Sequence, residues 1–217
     1  MADPLTIKIC GIKTEAILDA AIDAGADMVG FMHFARSPRH LELDPIGELI
    51  SIARGRVETC VVLCNPDNTL VAQVAALGPD WIQLHGPETP HRVEAIRDEA
   101  GIAILKACSI GSAGDVAAVA GFADCADRIL IDAKAPKGAE RPGGNGVAFD
   151  WALLKALDPA LPFMLSGGLT PDTVAAAVRS VRPMGIDASS GLETAPGTKD
   201  AKLIAAFISN ARAAAAG

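Results

Sequence analysis

The sequence predicts one α/β domain, a (β/α)8 TIM barrel that spans residues 1–217. Eight short runs rich in Val, Ile and Leu alternate with amphipathic, Ala-rich stretches, and strict β-then-α alternation builds a parallel sheet. A length of 217 residues suits a single small barrel, and no linker-like stretch divides the chain. The first turn, CGIKT, lacks the GxGxxG pattern of a doubly wound dinucleotide-binding sheet, which is the alternative architecture.

Each predicted strand is an apolar run that stops at a polar or turn-forming residue. The strands are predicted at 5–10, 28–33, 57–63, 81–85, 102–107, 128–132, 162–166 and 184–188. The helices are predicted near 14–24, 44–53, 68–77, 89–99, 113–119, 149–157, 171–180 and 199–213. The long irregular segment 133–146 is expected over the barrel mouth, with a plain surface loop as the alternative.

Composition narrows the class of partner. The formal net charge of -7 argues against general affinity for nucleic acid or anionic lipid, whereas a small basic patch can still hold an anionic metabolite. The start MADPLTIKICG lacks the features of a secretory signal, and no apolar run approaches the roughly 20 residues of a membrane helix. We expect a cytoplasmic protein that acts on a small molecule, as a monomer or a weak homodimer.

The cysteines and histidines predict neither disulfides nor a metal site. The five cysteines are scattered and odd in number, which is a poor basis for a disulfide framework. Cys60 and Cys64 should lie about 13 Å apart along one strand, too far to share a zinc ion, and with Cys125 they are expected to be buried. No metal-ligand set is predicted, because the four histidines (His33, His40, His85 and His91) lack paired carboxylates at ligand spacing.

Two reactive groups close predicted strands. Cys10 ends the first strand and Asp132 the sixth, and in a barrel these ends converge on one mouth. A thiol and a carboxyl group that face each other there can serve as base and acid on one substrate. The alternatives are plain packing for Cys10 and a cap or turn for Asp132. Strand alternation places Lys8 inside the barrel with Cys10, and Asp187 is the predicted partner of that buried ammonium.

Glycine-rich turns after strands seven and eight predict a phosphate site. In SGGLTP, residues 166–171, Thr170 is the predicted N-cap and Pro171 the first helical residue. Gly167 and Gly168 there, and Gly191 in DASSGLE, permit close backbone approach to an anion. The loops after strands seven and eight often bind phosphate in such barrels.

A third anion site is predicted in FARSPRH, residues 34–40. Arg39 follows Pro38 in a restricted turn, and its guanidinium can clamp a carboxylate through two hydrogen bonds. Arg36 is the rival for this role. The combined set therefore offers sites for a phosphate and a carboxylate beside an acid and a base.

Several motifs, in this order, give the chain a resemblance that runs almost end to end. They are KICGI at 8–12, SPR at 37–39, QLHG at 83–86, LID at 130–132, GGxG at 143–146, FDW at 149–151, SGGL at 166–169 and D-x-SSG-x-E at 187–193. With these motifs the chain resembles the phosphoribosylanthranilate isomerases of tryptophan biosynthesis. KICG, SPR and the last motif together are specific, whereas any one alone is not.

The resemblance implies an Amadori rearrangement of N-(5-phosphoribosyl)anthranilate to 1-(2-carboxyphenylamino)-1-deoxyribulose 5-phosphate, with no cofactor. It implies that Asp132 is the general acid, Cys10 the general base, Arg39 the holder of the anthranilate carboxylate, and Asp187 a residue near the substrate. It also places the phosphate on the backbone of Gly168, Ser189, Ser190 and Gly191. A carboxyl group with an ordinary pKa near 3.9 is ionised at pH 7, so the acid role requires surroundings that favour the protonated form.

Some residues depart from the family pattern, and alternative interpretations of the activity stay open. His33 adds a polar side chain near the mouth, Asn145 replaces the usual Thr, and Ala188 replaces a common Val. His85 is interpreted as a structural residue, with substrate contact as the alternative. Rival activities are a Schiff-base enzyme that uses Lys106, a metal-dependent pentose-phosphate epimerase, and a binding protein without turnover. Enzymes that act in two pathways carry an acidic residue at the position of Cys10. We therefore expect this protein to act in a single pathway.

Overall fold

The computed structural model describes residues 5–133, 151–158 and 160–217, and its eight main strands close into a parallel barrel in sequence order. Hydrogen bonds between β1 and β8 complete the closure. The predicted fold class is therefore confirmed. The strands are β1 (Thr6–Cys10), β2 (Met28–Met32), β3 (Glu58–Leu63), β4 (Trp81–Leu84), β5 (Ala103–Ile110), β6 (Arg128–Ala133), β7 (Phe163–Leu165) and β8 (Gly185–Ala188).

Helices follow the strands and cover the outside of the barrel. They are α1 (Glu15–Asp23), α2 (Leu43–Ala53), α3 (Asn68–Leu77), α4 (Pro90–Ala100), α5 (Ala113–Val119), α6 (Val174–Val181) and α7 (Ala201–Ala215). Local sequence explains many of these ends. Thr89 caps α4 by accepting a hydrogen bond from Arg92 N, Pro90 starts the helix, and Gly101 ends it in the left-handed conformation. Within the described ranges, no helix combines the length and the apolar character needed to cross a membrane.

Three local predictions differ from the structure. The described part of the predicted helix 149–157 is a 3-10 helix, Trp151–Ala156. Helix α6 begins at Val174, although Thr170 Oγ1 accepts from Thr173 N at 3.3 Å, so Thr170 caps a turn that precedes the regular helix. A hairpin of β9 (Glu193–Ala195) and β10 (Thr198–Lys199) was not predicted. Of the irregular segment 133–146, only Ala133 is described, at the end of β6.

The side chains divide between two cores because successive strand residues face opposite sides. The larger apolar core lies between the strands and the helices. A smaller cluster fills the barrel interior with Met28, Cys60, Trp81, Leu105, Ala107, Leu130 and Met164. Lys8 is fully buried and reaches Gln83 on β4, so the inward-facing positions of β1 are the even-numbered ones. Cys10 therefore faces inward as well, one layer above Lys8.

Candidate active site

Cys10 is the last residue of β1 and lies at the barrel mouth. Its neighbour in the sheet is Gly30, and a Cβ atom at that position would lie 2.9 Å from the Cys10 sulfur. The missing side chain of Gly30 therefore makes room for the thiol. The chain then turns at Gly11, whose φ of +79° favours glycine. The position predicted for Cys10 is confirmed, and the residue is 4% exposed.

Asp132 stands in the corresponding inward position of β6. Its Oδ1 accepts a hydrogen bond from Ala133 N at 2.9 Å, and its Oδ2 lies 3.2 Å from His85 Nε2. The residue is 4% exposed. Since both Cys10 and Asp132 occupy inward positions at the carboxyl ends of parallel strands, the two side chains belong to the same end of the barrel.

A chain of polar side chains begins at Asp132, crosses the barrel and connects five strands or their ends. We call it the polar floor, and it consists of Asp132, His85, Gln83, Lys8, Asp187 and Ser166. Lys8 Nζ donates to Gln83 Oε1 and to Asp187 Oδ1, both at 2.8 Å. Ser166 Oγ donates to Asp187 Oδ2 at 3.1 Å. The floor thus links β6, β4, β1, β8 and the end of β7 in one hydrogen-bonded network.

His85 belongs to this network, which the sequence interpretation as a merely structural residue did not capture. Gln83 Oε1 accepts from Lys8, so the amide nitrogen of Gln83 is the group that faces His85 Nδ1, at 2.9 Å. An amide nitrogen is a donor, and His85 Nδ1 is therefore the acceptor. The neutral imidazole then carries its proton on Nε2 and donates it to Asp132 Oδ2. Lys8 and Gln83 in this way orient the histidine that contacts Asp132.

The predicted ion pair of Lys8 with Asp187 is present. Burial on its own lowers the pKa of Lys8, but the adjacent Asp187 carboxylate outweighs it and raises the pKa above its ordinary value. The ammonium is fully buried, and its N–O distance to Asp187 is 2.8 Å. This charge lies one layer below Cys10.

Removing the ammonium should destabilise the barrel. The variant Lys8→Met is expected to lower the free energy of unfolding by about 3–5 kcal/mol, because Asp187 is left as an unpaired buried charge. Urea unfolding followed by circular dichroism measures the change. The matched double variant Lys8→Met/Asp187→Asn removes the stranded charge and should regain part of the loss. A single variant as stable as the parent chain would contradict this account of the ion pair.

Arg39 lies over the Gly11 turn, beside Cys10. A Cβ atom on Gly11 would come within 2.5 Å of Arg39 Cδ, so the glycine permits this close packing. Arg39 donates through Nε and Nη2 to the two carboxylate oxygens of Glu193, at 2.6 and 2.8 Å. The two-bond clamp that the sequence predicted for a ligand carboxylate is therefore formed with Glu193. Glu193 comes from β9, in a hairpin that was not predicted.

Glu193 also binds a second cation. Lys199 on β10 donates to Glu193 Oε1 and to the backbone oxygen of Ser189. Burial on its own raises the pKa of Glu193, but the hydrogen bonds from Arg39 and Lys199 outweigh it and lower the pKa to about 2. Burial lowers the pKa of Lys199, and Glu193 opposes that shift. The carboxylate thus joins the loop after β2 to the segment after β8.

This network should make the free energy of unfolding depend on pH in the acid range. The folded-state pKa of Glu193 lies near 2, below its ordinary value of 4.5, so its stabilising contribution is complete above pH 4.5 and is lost as pH falls toward 2. The variant Glu193→Gln should therefore show a flatter fall of unfolding free energy between about pH 5 and pH 3 than the parent chain. Urea unfolding at several pH values measures both slopes. The exposed Glu15→Gln is the control, and equal slopes for parent and Glu193→Gln would contradict the prediction.

The surroundings of Cys10 set its resting state. Burial raises the pKa of the Cys10 thiol above its ordinary value, whereas the ammonium groups of Lys8 and Lys199 act in the opposite direction. The free protein therefore holds a neutral thiol at pH 7. A base at this position acquires its thiolate character only when further positive charge arrives beside the sulfur.

The two loops predicted to bind phosphate lie against each other. Gly167 and Gly168 have φ values of +91° and +66°, which favour glycine. A Cβ atom on Gly191 would fall 2.0 Å from the backbone oxygen of Leu169, so the segment after β8 passes directly over the loop after β7. Ser189 and Ser190 begin this segment, and Lys199 holds the Ser189 backbone oxygen at 3.1 Å. The two loops that carry the five predicted phosphate-binding residues are therefore in contact.

Other predicted features have different roles in the structure. Cys60 is buried inside the barrel and Cys125 is buried as expected, but Cys64 follows the end of β3 and is only partly buried. Lys106 projects away from the barrel interior and donates to Glu88 Oε2 at 2.7 Å and to Gly86 O at 2.8 Å. An ammonium held in this way does not face the mouth, which argues against the Schiff-base alternative. Asn145 and the GGxG motif lie outside the described residues.

Comparison with known proteins agrees with this geometry. A sequence model of the family described as N-(5'phosphoribosyl)anthranilate (PRA) isomerase matches residues 7–210. The N-(5'-phosphoribosyl)anthranilate isomerase of Rhodopseudomonas palustris strain BisA53 is 52% identical over 211 residues, and the match covers 97% of both chains. The enzyme of the same name from Nitrobacter hamburgensis is 53% identical over 211 residues, with 97% of this chain and 94% of the relative covered.

Solved structures lead to the same family. Phosphoribosyl anthranilate isomerase from Thermotoga maritima has a TM-score of 0.85 and 30% identity, with 96% of this chain and 99% of that chain covered. A phosphoribosyl anthranilate isomerase in complex with reduced 1-(o-carboxyphenylamino)-1-deoxyribulose 5-phosphate has a TM-score of 0.82 and 28% identity, with the same coverage. This chain therefore belongs to the N-(5'-phosphoribosyl)anthranilate isomerase family.

Proposed function

We propose that the protein catalyses the Amadori rearrangement of N-(5-phosphoribosyl)anthranilate to 1-(2-carboxyphenylamino)-1-deoxyribulose 5-phosphate, a step of tryptophan biosynthesis, by general acid–base catalysis. The observation that carries the proposal is the placement of Cys10 and Asp132. Both are inward-facing, buried, and at the carboxyl ends of their strands; Asp132 is one end of the polar floor, and Cys10 lies one layer above its Lys8. The reaction needs one group to give a proton and another to take one, and it needs no cofactor.

Asp132 acts first as the general acid. It protonates the furanose ring oxygen while the bond from that oxygen to C1 breaks, and the nitrogen lone pair forms an iminium with C1. His85 Nε2 and Ala133 N, at 3.2 and 2.9 Å from the two carboxyl oxygens, hold the side chain in one orientation. In the free protein both carboxyl oxygens accept hydrogen bonds, so Asp132 takes up a proton from solvent when the substrate binds and gives it to the ring oxygen from this fixed orientation.

Cys10 acts next as the general base. It takes the C2 proton of the iminium, and the C2–H electron pair forms the C1–C2 double bond of an enolamine while the iminium nitrogen becomes neutral. The enolamine then tautomerises to the ketone, with a proton gained at C1 and one lost from the C2 hydroxyl. Because the free protein holds the thiol protonated, Cys10 first releases this proton to solvent, which the positive charge of the substrate iminium favours, and the resulting thiolate takes the C2 proton. No covalent bond to sulfur is required.

Anionic groups of the substrate are held by the rim of the barrel. The phosphate is assigned to Gly167, Gly168, Ser189, Ser190 and Gly191, whose two loops lie against each other. The anthranilate carboxylate is assigned to Arg39, through Nη1, since Glu193 holds Nε and Nη2. Asp187 lies in the polar floor beneath the sugar and holds Lys8 in place. We also propose that the protein is cytoplasmic. We further propose that it is a monomer or a weak homodimer, and sedimentation at several protein concentrations tests this oligomeric state.

Growth of a tryptophan auxotroph that lacks only this isomerase tests the function. The parent chain should restore growth without tryptophan, and purified protein should turn over N-(5-phosphoribosyl)anthranilate in the presence of a chelator. The matched control is a strain that expresses Asp132→Asn at the same level, and this strain should not grow without tryptophan. A protein that binds the substrate without turnover, or that loses activity with chelator, would contradict the proposal.

A further inference from the structure

A second group of polar side chains lies in the loop between β2 and α2, outside the acid–base machinery. One ligand atom from each of His33, His40 and Glu42 lies within 4.8 Å of the other two. Two ligands of a single zinc-type ion, at about 2.0–2.2 Å from it, are at most about 4.4 Å apart. The Glu42 side chain is 78% exposed and is free to turn. Small rotations of the three side chains therefore bring all of them within reach of one ion.

The backbone brings this group together. His40 forms a bridge with Met32 at the end of β2, and Leu41 N donates to Met32 O at 2.8 Å. The loop thus returns to the strand from which it started, and it places the rings of His33 and His40 with centroids 5.1 Å apart. Six residues lie between the two histidines in the sequence, and the return of the loop to β2 brings their rings together.

His33 has one nitrogen prepared for a metal. Its Nδ1 lies 2.9 Å from the backbone oxygen of Leu41, and a carbonyl oxygen can only accept a hydrogen bond. The proton of the neutral ring is therefore on Nδ1, and the lone pair is on Nε2. Histidines that bind metals usually donate their other ring N–H to a carbonyl or carboxylate in this way.

His40 has a nitrogen without a partner. Its Nδ1 is buried and forms no hydrogen bond with any residue that the structure describes. Its Nε2 lies 3.1 Å from Glu42 Oε1. An orphaned buried nitrogen carries a cost that ligation relieves, and a carboxylate next to the ring can either share the ion or orient the imidazole. The anionic charge of Glu42, which lies beside the His40 ring, also favours a cation.

We propose that His33, His40 and Glu42 form a binding site for a divalent transition metal of the zinc class, with one ring nitrogen from each histidine and a Glu42 carboxylate oxygen. Two imidazoles and one carboxylate suit Zn²⁺, Ni²⁺ or Co²⁺ and not Mg²⁺ or Ca²⁺, which prefer oxygen ligands alone. The site holds the loop that carries Arg39 and goes beyond the isomerase activity, which does not require it. It also revises the sequence expectation that these histidines belong to no metal-ligand set.

Calorimetric titration of the metal-free, reduced full chain with Zn²⁺ tests the site. We expect one equivalent to bind, the unfolding temperature to rise with Zn²⁺, and Mg²⁺ to have neither effect. His33→Ala and His40→Ala should each weaken Zn²⁺ binding at least about tenfold. The control His91→Ala removes an exposed histidine on α4 and should leave binding unchanged.

The five free cysteines are the competing ligands. Co²⁺ separates the two cases, because thiolate ligation adds an intense sulfur-to-metal charge-transfer band that imidazole and carboxylate ligation lack. The proposal predicts that bound Co²⁺ gives a spectrum without that band. The spectrum of bound Co²⁺ should be lost in His33→Ala. Zn²⁺ affinity that survives both histidine substitutions, a strong charge-transfer band, or no binding at all would overturn the metal site. None of these outcomes bears on isomerase turnover, so the two proposals are tested separately.

Discussion

Cys10→Ala is expected to lower kcat by at least about 10²-fold while the barrel remains folded, because the general base that takes the C2 proton is removed. The substitution leaves a small space beside Gly30, and Lys8 keeps its hydrogen bonds to Gln83 and Asp187. Steady-state turnover of N-(5-phosphoribosyl)anthranilate measures the effect, and far-ultraviolet circular dichroism with urea unfolding checks the fold.

The matched control is Cys125→Ala. Cys125 is also buried and reduced, but its sulfur faces the backbone oxygens of Gly121 and Phe122 away from the mouth. Its loss should leave kcat within about twofold of the parent value. If Cys10→Ala turns over substrate at a near-normal rate, Cys10 is not the base.

Asp132→Asn should cause a loss of similar size, at least about 10²-fold in kcat. The amide keeps the shape of the carboxyl group and remains near His85 and Ala133 N, but it has no acidic proton to give to the ring oxygen. Because the substitution changes the chemistry more than the packing, kcat should fall much more than the affinity for a bound product analogue. Parallel measurements of kcat and of analogue binding separate these effects.

The control for Asp132 is Asp98→Asn, which makes the same chemical change on the exposed face of α4. This variant should retain parent turnover and stability. Equal turnover of Asp132→Asn and the parent would remove Asp132 from the acid role, and a variant that fails to bind the analogue would indicate a binding role in its place.

Much of this architecture follows from local sequence. Each strand of the barrel is a buried apolar run, and side chains alternate along a strand, so the inward placement of Lys8 with Cys10 could be predicted from one known position. The pairing of Lys8 with Asp187 followed from the same parity, since β1 and β8 close the barrel. The position of Asp132 at the mouth could also be predicted, because it is the polar residue near the carboxyl end of an apolar strand.

Other features depend on contacts between distant parts of the chain. The role of His85 depends on Asp132, which lies 47 residues away, and the ion pair of Arg39 depends on Glu193, in a hairpin whose two strands have only five residues in total. Hydrophobic periodicity carries little signal for such short strands. The approach of His33 to His40 arises from a loop that folds back on β2. Composition and spacing alone do not reveal these three arrangements.

The kinetic isotope effect of a substrate with deuterium at C2 tests the central claim most directly. Weakening the base should make proton removal from C2 limit the rate, so Cys10→Ser should show a larger primary isotope effect on kcat/KM than the parent. Asp132→Asn should show no such increase, because its slow step is opening of the ring. An isotope effect that is unchanged in Cys10→Ser, or that increases only in Asp132→Asn, would contradict the assignment of the base and the acid.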